Sequence, residues 1–260
     1  MIGLLAGLTA VAGTPGQSYG ATLLDATHSE HPELVSAQIT ARSAPQPITI
    51  QRHWGPRSGK SERRVLRDAN GNDIGTIDLQ SHCSVSATAD RVANELSRRI
   101  YSAASLSDPD PFLATASRAA TAQAMIDRAL DHDPTIITLA FHVTPPGGTV
   151  NSIVASSFGR IGKPADSDDL GVIKDAKIVH EITNNGKRLA IELPLLDSRR
   201  QVIGALSTSF RLEPGVSADQ IEAHAIALRD SLSRQTPSIE FLFRPTTASR
   251  QVGWLRTCHS

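Results

Sequence analysis

Apolar residues recur along the chain in two rhythms, near 3.6 residues and at two residues, and these divide it into helices and strands. Val92, Leu96 and Ile100 at four-residue spacing predict a helix over 87–101, and Ile221, Ala225, Leu228 and Leu232 predict one over 217–234. The looser set Leu23, Leu24, Leu34, Val35 and Ile39 predicts a helix over 21–41. An Ala-rich stretch of good helix propensity predicts another from Phe112 to Leu130. Strands are expected at 48–54, 64–67, 74–79, 136–143, 152–156, 177–184, 187–196 and 202–212. Asn70-Gly71 marks a tight turn between two of them, because Gly and, tolerably, Asn accept positive φ. Pro194 predicts an edge position or bulge in its strand. Residues 158–170 read as a polar loop, followed by a helical turn over Leu170–Ile173.

The pattern occurs twice. Residues 64–79 and 193–208 each run apolar strand, Asp, turn, Ile-Gly, apolar strand, with Asp68 and Asp197 both seven residues before a glycine. Ala89, Val92, Leu96, Ser102 and Leu106 have counterparts 136 positions later in Ala225, Leu228, Leu232, Ser238 and Leu242. Pro32-Glu-Leu-Val is matched 102 positions later by Pro134-Thr-Ile-Ile. A period above 100 residues predicts two copies of a small domain, with Asp108-Pro-Asp-Pro111 as the linker. From Pro32 to Gly75 is 43 residues and from Pro134 to Gly204 is 70, so the first copy is about 27 residues shorter. The shortfall corresponds roughly to Asn151–Ile178, which makes the second copy the complete one and the better place to look for a site.

Charge narrows the functions available. The 26 Lys and Arg are balanced by 26 Asp and Glu, and aromatics make up 4% of the chain. That leaves no basic footprint for a phosphate backbone and no stacking platform for single strands, so nucleic acid is not an expected partner. The apolar run Ile2–Gly13 has the length of a secretory h-region and is too short for a transmembrane span of roughly 20 residues. It predicts a signal peptide over 1–20, with processing near Gly20 or Ala21, and hence a periplasmic or otherwise exported protein. Cys83 and Cys258 fit an exported chain carrying one disulfide, though spacing alone does not pair them.

The densest polar cluster is Asn151, Ser156, Ser157, Arg160, Lys163, Asp166, Asp168 and Asp169. Gly159-Arg-Ile-Gly-Lys163 is not a phosphate loop, because the spacing fails and Pro164 stands at the hydroxyl position. Asp166-Ser-Asp168-Asp169 lacks the glycine and glutamate of a calcium loop; it caps a helix, with Asp168 as N-cap, or contacts a ligand. Asp68 and Asp197 share only the aspartate across otherwise different turns, which points to a side-chain–backbone turn bond and away from metal. His142, at the end of an expected central strand, points into a cleft or completes the core. No nucleophile elbow, CxxC, HExxH or dinucleotide fingerprint is present, so no catalytic residue, metal ligand or cofactor is assigned and no enzyme is expected.

The order Ile153-Val-Ala-Ser-Ser157, the loop 158–170, Ile178-Val-His-Glu-Ile182, Gly186–Asp197 and Val202–Phe210 resembles the extracytoplasmic PAS-like Cache (PDC) sensor domains of bacteria. The resemblance covers about residues 133–213 with a flanking helix on each side, while the first copy matches only in its hairpin and helix. It implies an α+β fold of two tandem PAS/Cache-like halves, antiparallel sheets flanked by helices, the first half reduced. The halves would be 21–108 and 112–246, followed by a polar tail at 247–260. It also implies a small metabolite bound between sheet and loop, with His142, Asn151, Ser156, Arg160 and Lys163 as the nearest polar groups. Arg200 stands where the family hairpin usually has its turn glycine, which the first copy keeps as Gly71. The expected protein is a small-molecule sensor without its own output domain, acting on a membrane-bound signalling partner. The alternatives are a structural or protein-interaction module with filled pockets, and an enzyme centred on His142.

Overall fold

The computed structural model describes residues 17–42, 46–56, 59–82, 86–107, 119–184 and 186–246. Residues 1–16, Cys83, the Asp108–Pro111 linker and the tail with Cys258 lie outside them. The architecture is α+β, with two antiparallel sheets flanked by helices.

The first sheet has four strands: β1 (Leu34–Ala41), β2 (Ile48–His53), β3 (Lys60–Arg67) and β4 (Asp73–Ser81), in the order β2-β1-β4-β3. Helices α1 (Tyr19–Glu30) and α2 (Ser86–Arg99) bury Leu23, Leu24, Val92 and Leu96 with Leu34, Ile39, Ile77 and Leu79 of the sheet. The helix expected over 21–41 is therefore half strand. His31 closes α1, its N–H donating to the Thr27 carbonyl, and Pro32 cannot carry the helix on. Leu34–Ala41 then buries its residues at close to a period of two, as a strand with one covered face does. The α1 helix also begins before the expected processing point. Ser18 caps it, Tyr19 and Ala21 are buried, and the Tyr19 hydroxyl donates to the Arg99 carbonyl at 2.8 Å.

The second sheet contains β5 (Ile136–Val143), β6 (Ser152–Ser156), β7 (Val179–Thr183), β8 (Arg188–Leu196) and β9 (Val202–Arg211), in the order β6-β5-β9-β8-β7. Helices α3 (Ala120–His132), α5 (Ala218–Arg234) and the short α6 (Ile239–Leu242) cover one face. There Leu139, Phe141, Ile191, Leu193 and Leu206 meet Met125, Ile126, Ile221 and Leu232 in a dry core. Helix α4 (Ser167–Asp175) lies on the other side, against β8 and β9. Pro194 sits where β8 runs past the end of β7, whose pairing stops at Glu192, so no ladder bond is lost.

Counted from its own first strand, the first sheet runs second-first-fourth-third, and the second sheet follows the same order once β7, its added edge strand, is left out of the count. The extra residues of the second half are thus α4 and β7 with their connections. The strand expected to be missing from the first half is present there as β2. Two details recur at matching places. Asp68 Oδ1 accepts from the N–H groups of Asn70 and Asn72, and Asp197 Oδ1 accepts from those of Arg199 and Gln201. Arg200 takes the turn position of Gly71 at φ 66°, against 82° for the glycine. A Cβ at Gly75 would overlap the Thr40 carbonyl oxygen, and one at Gly204 would overlap that of His142, which is why the Ile-Gly pair is kept in both strands.

Candidate functional site

Register fixes which side chains share the face beneath α4, since cross-strand partners point the same way. His142 pairs with Ala205 and Ala205 with Pro194; Ala140 pairs with Ser207 and Ser207 with Glu192; Thr138 pairs with Ser209 and Ser209 with Ala190. By alternation along β8, Arg188 joins the same face, and Thr183 of β7 stands directly opposite it. One face of the sheet is therefore apolar core, while the other carries Thr138, His142, Arg188, Glu192, Ser207 and Ser209.

The end beneath the start of α4 is acidic. Asp166 is the N-cap, accepting from Asp168 and Asp169 N–H, and Asp169 completes a capping box by accepting from Asp166 N–H at 3.1 Å. The helix is longer than the expected turn, and its cap is Asp166 where Asp168 was anticipated. Asp169 and Val172, three residues apart, turn inward. Asp169 is 2% exposed and its Oδ2 lies 2.9 Å from Nδ1 of His142, itself 5% exposed, although the ring N–H is not aligned with the carboxylate. Burial would raise the Asp169 carboxyl, but contact with His142, the Asp166 N–H and the charge of Lys163 together hold it below the usual range. Glu192 has no such help. Burial, and then the charges of Asp169, Asp166, Asp168 and Glu181, push its pKa up to about 7. Asp169 Oδ1, Glu192 Oε2 and Asn151 Oδ1 are buried acceptors without a donor.

The other end of the face is cationic. Arg188 is 7% exposed; its Nη2 is 3.4 Å from Thr138 Oγ1, and its guanidinium lies over the Tyr101 ring at 4.8 Å. Thr138 and Ser209 hydroxyls bond to each other. Tyr101 comes from the segment after α2, in the first half, and touches Phe158 of the β6–α4 loop. A cross-half contact therefore covers this end.

The five residues expected to bind are not brought together. His142 is on the covered face, and Asn151 borders it with its backbone carbonyl held by Ala165. The Ser156 hydroxyl is used within its own loop, donating to the Gly159 carbonyl, while its backbone is clamped on both sides by Gln123 of α3. Arg160 is exposed at positive φ, and Lys163 pairs loosely with Asp166 at 3.7 Å on the loop surface. Asp169, Arg188 and Glu192 were not singled out from the sequence. The signal was there in Arg188-Leu-Ala-Ile-Glu-Leu-Pro-Leu, whose alternation puts Arg188 and Glu192 opposite the leucines of the core.

A cleft of about 320 Å³ opens elsewhere, between the two halves, and is lined by Glu30, Glu95, Arg98, Arg99, Asp127 and Ser156, among others. His31 and Glu95 are 3.2 Å apart beside it. Among the described residues no group of three or more His, Cys, Asp or Glu is placed to hold a metal ion, and no helix is long and apolar enough to cross a membrane.

No family model matches the chain, and no curated protein matches it. A solved structure of the inducer-binding domain of the transcription factor PobR from Acinetobacter, a double mutant in complex with 3-hydroxybenzoic acid, is similar at 11% identity and a TM-score of 0.21. The alignment covers 86% of this chain and 100% of that one.

Proposed function

We propose that this protein is a small-molecule sensor module built of two PAS/Cache-like tandem halves, with its ligand site on the covered polar face of the second sheet. The observation that carries the reading is the contrast between the two faces of that sheet. A purely structural sandwich buries apolar groups on both sides. Here one side buries an arginine, a histidine and an aspartate and half-buries a glutamate, with donors and acceptors left unmatched. Unmatched buried polar groups cost about 1–3 kcal/mol each, which a bound polar molecule would recover. A sensor needs a movable element over its site, and α4 with its loops is the part the first half does without. The expected export of the chain, drawn from its first residues, belongs to the same proposal, as does a membrane-bound partner.

Hydrogen exchange read by mass spectrometry, with thermal melting, tests the reading on the full chain. The panel holds amino acids, carboxylates, purines and polyamines. A true ligand raises the melting temperature and slows exchange in residues 158–183 more than elsewhere. If no compound of any class protects that segment, the face is a structural one and the proposal fails.

A further inference from the structure

The geometry points to an oxyanion subsite at Arg188, and so to a ligand that presents a carboxylate or phosphate group to that end of the face. This rests on the sensor reading above and names the ligand chemistry. Arg188 is more than nine-tenths buried, and no carboxylate lies within 4 Å of it among the described residues. What it does have is one long contact to the Thr138 hydroxyl and the face of the Tyr101 ring. Its Nε is buried without an acceptor.

Magnitudes decide whether those partners suffice. Withdrawing a guanidinium from water stays costly even after the protein relaxes. A cation–π contact and one long neutral hydrogen bond each return only a fraction of that cost. The charge is left in deficit, and the guanidinium fork is shaped for a planar oxyanion.

The surroundings agree. Thr183 stands directly across the β7–β8 ladder from Arg188, and its Oγ1 is also buried without a partner. Thr138 and Ser209 add two more hydroxyls on the same face. One oxyanion among them would accept from Arg188 Nε and from Thr183, which are the groups left unsatisfied. Tyr101, 40% exposed, lies over the guanidinium and is the group that must swing aside to admit it. Because Tyr101 belongs to the first half, occupancy of the subsite would be felt there.

The test is NMR of the Arg188 Nε–H resonance in the full chain, assigned by R188K. Sodium acetate, sodium succinate and sodium phosphate are titrated against sodium chloride at matched ionic strength. The expected result is a saturable shift with at least one oxyanion and none with chloride; carboxylate against phosphate arms identify which group is preferred. R188Q should weaken that binding at least about tenfold, as loss of a charged hydrogen-bonding partner does. T183V should weaken it less. R188L, without ligand, should melt no lower than the parent, because it removes an uncompensated charge.

A resonance unmoved by every oxyanion, together with an R188L protein that melts well below the parent, would overturn the proposal. If amines or purines protect residues 158–183 while R188Q makes no difference, the oxyanion assignment fails and the sensor reading stands. Silence from every compound class sinks both.

Discussion

Replacing Glu192 by Gln removes a carboxyl that its surroundings hold against ionisation. Its side chain leans from the middle of β8 into the space beneath α4, where burial and four carboxylates (Asp169, Asp166, Asp168 and Glu181) oppose ionisation. Its pKa rises from an ordinary 4.5 to about 7. For an acid this is the unusual direction. Below about pH 4.5 folded and unfolded forms are both protonated, and the group contributes nothing. Between 4.5 and 7 the unfolded chain gives up the proton while the native protein keeps it, so stability falls as pH rises. Above 7 the full penalty is in place. At 1.36 kcal/mol per decade of pKa the gap amounts to about 3 kcal/mol unscreened, and to about 1–2 kcal/mol for a side chain that water partly reaches. E192Q removes the titration and keeps the shape. Its melting temperature should match the parent near pH 4.5 and exceed it by about 2–8 °C at pH 8. Melts by circular dichroism at pH 4.5, 5.5, 6.5, 7.5 and 8.5 give the curve. A gap that is constant with pH, or a parent more stable at pH 8.5, would refute the placement of Glu192 among those carboxylates.

Four further outcomes are expected. D169N breaks the capping box and the His142 contact; since the Asp169 pKa is depressed, the loss is full above the unfolded value near 3.8 and shrinks as pH falls through the folded one. It should speed hydrogen exchange in 167–175 by the equivalent of about 1–2 kcal/mol, leaving β5 and β9 protected. D68A and D197A each orphan two turn N–H groups and should cost about 1–3 kcal/mol in urea denaturation, whereas a calcium titration should leave the parent's melting temperature unchanged. G75A and G204A should each cost about 3 kcal/mol or more in the same assay, because the first atom a Cβ meets there is a backbone carbonyl oxygen. Finally, the hydrogen bond that the His31 ring N–H donates to Glu95 raises the His31 pKa against the effect of burial. The stability it contributes is complete below the unfolded value of 6.5 and is lost as pH rises through the folded one, so H31Q should flatten that limb, checked alongside an NMR titration of His31.

How far the sequence disclosed the fold can be judged element by element. Residues 136–143 were readable because the strand is buried on both faces and so forms an almost continuous apolar run, and residues 217–234 because Ile221, Ala225 and Leu232 keep one helical stripe turned inward. Leu34–Ala41 was misread because only eight residues carry its alternation, and α1 immediately before it supplies leucines that prolong a loose helical spacing. Helix α4 was shortened to a turn because Ser167–Asp175 has just two inward residues, Asp169 and Val172, and one of them is charged. The site was less legible for a related reason. Alternation along β8 reveals that Arg188 and Glu192 share a face, but whether that face is wet depends on α4 and Tyr101. Those elements are 13 or more residues away in sequence.

The first half shows what that cover does. Thr138 and Ser209 form a hydroxyl pair across β5 and β9; at the matching register of the first sheet Ser36 bonds to Gln80. Glu192 faces Ser207 across β8 and β9; the matching pair across β3 and β4 is Arg63 with Asp78, an ion pair open to solvent. The two sheets thus put polar groups at the same positions of the same face. In the first, water reaches Arg63 and a carboxylate answers it, so its charge costs little. In the second, α4 and Tyr101 restrict the access of water, and there neither Arg188 nor Glu192 has an ion-pair partner among the described residues. Along one strand they stand about 13 Å apart, too far to neutralise each other. Covering a polar face without pairing its charges is destabilising, and the unpaired groups lie under the one helix that the first half lacks.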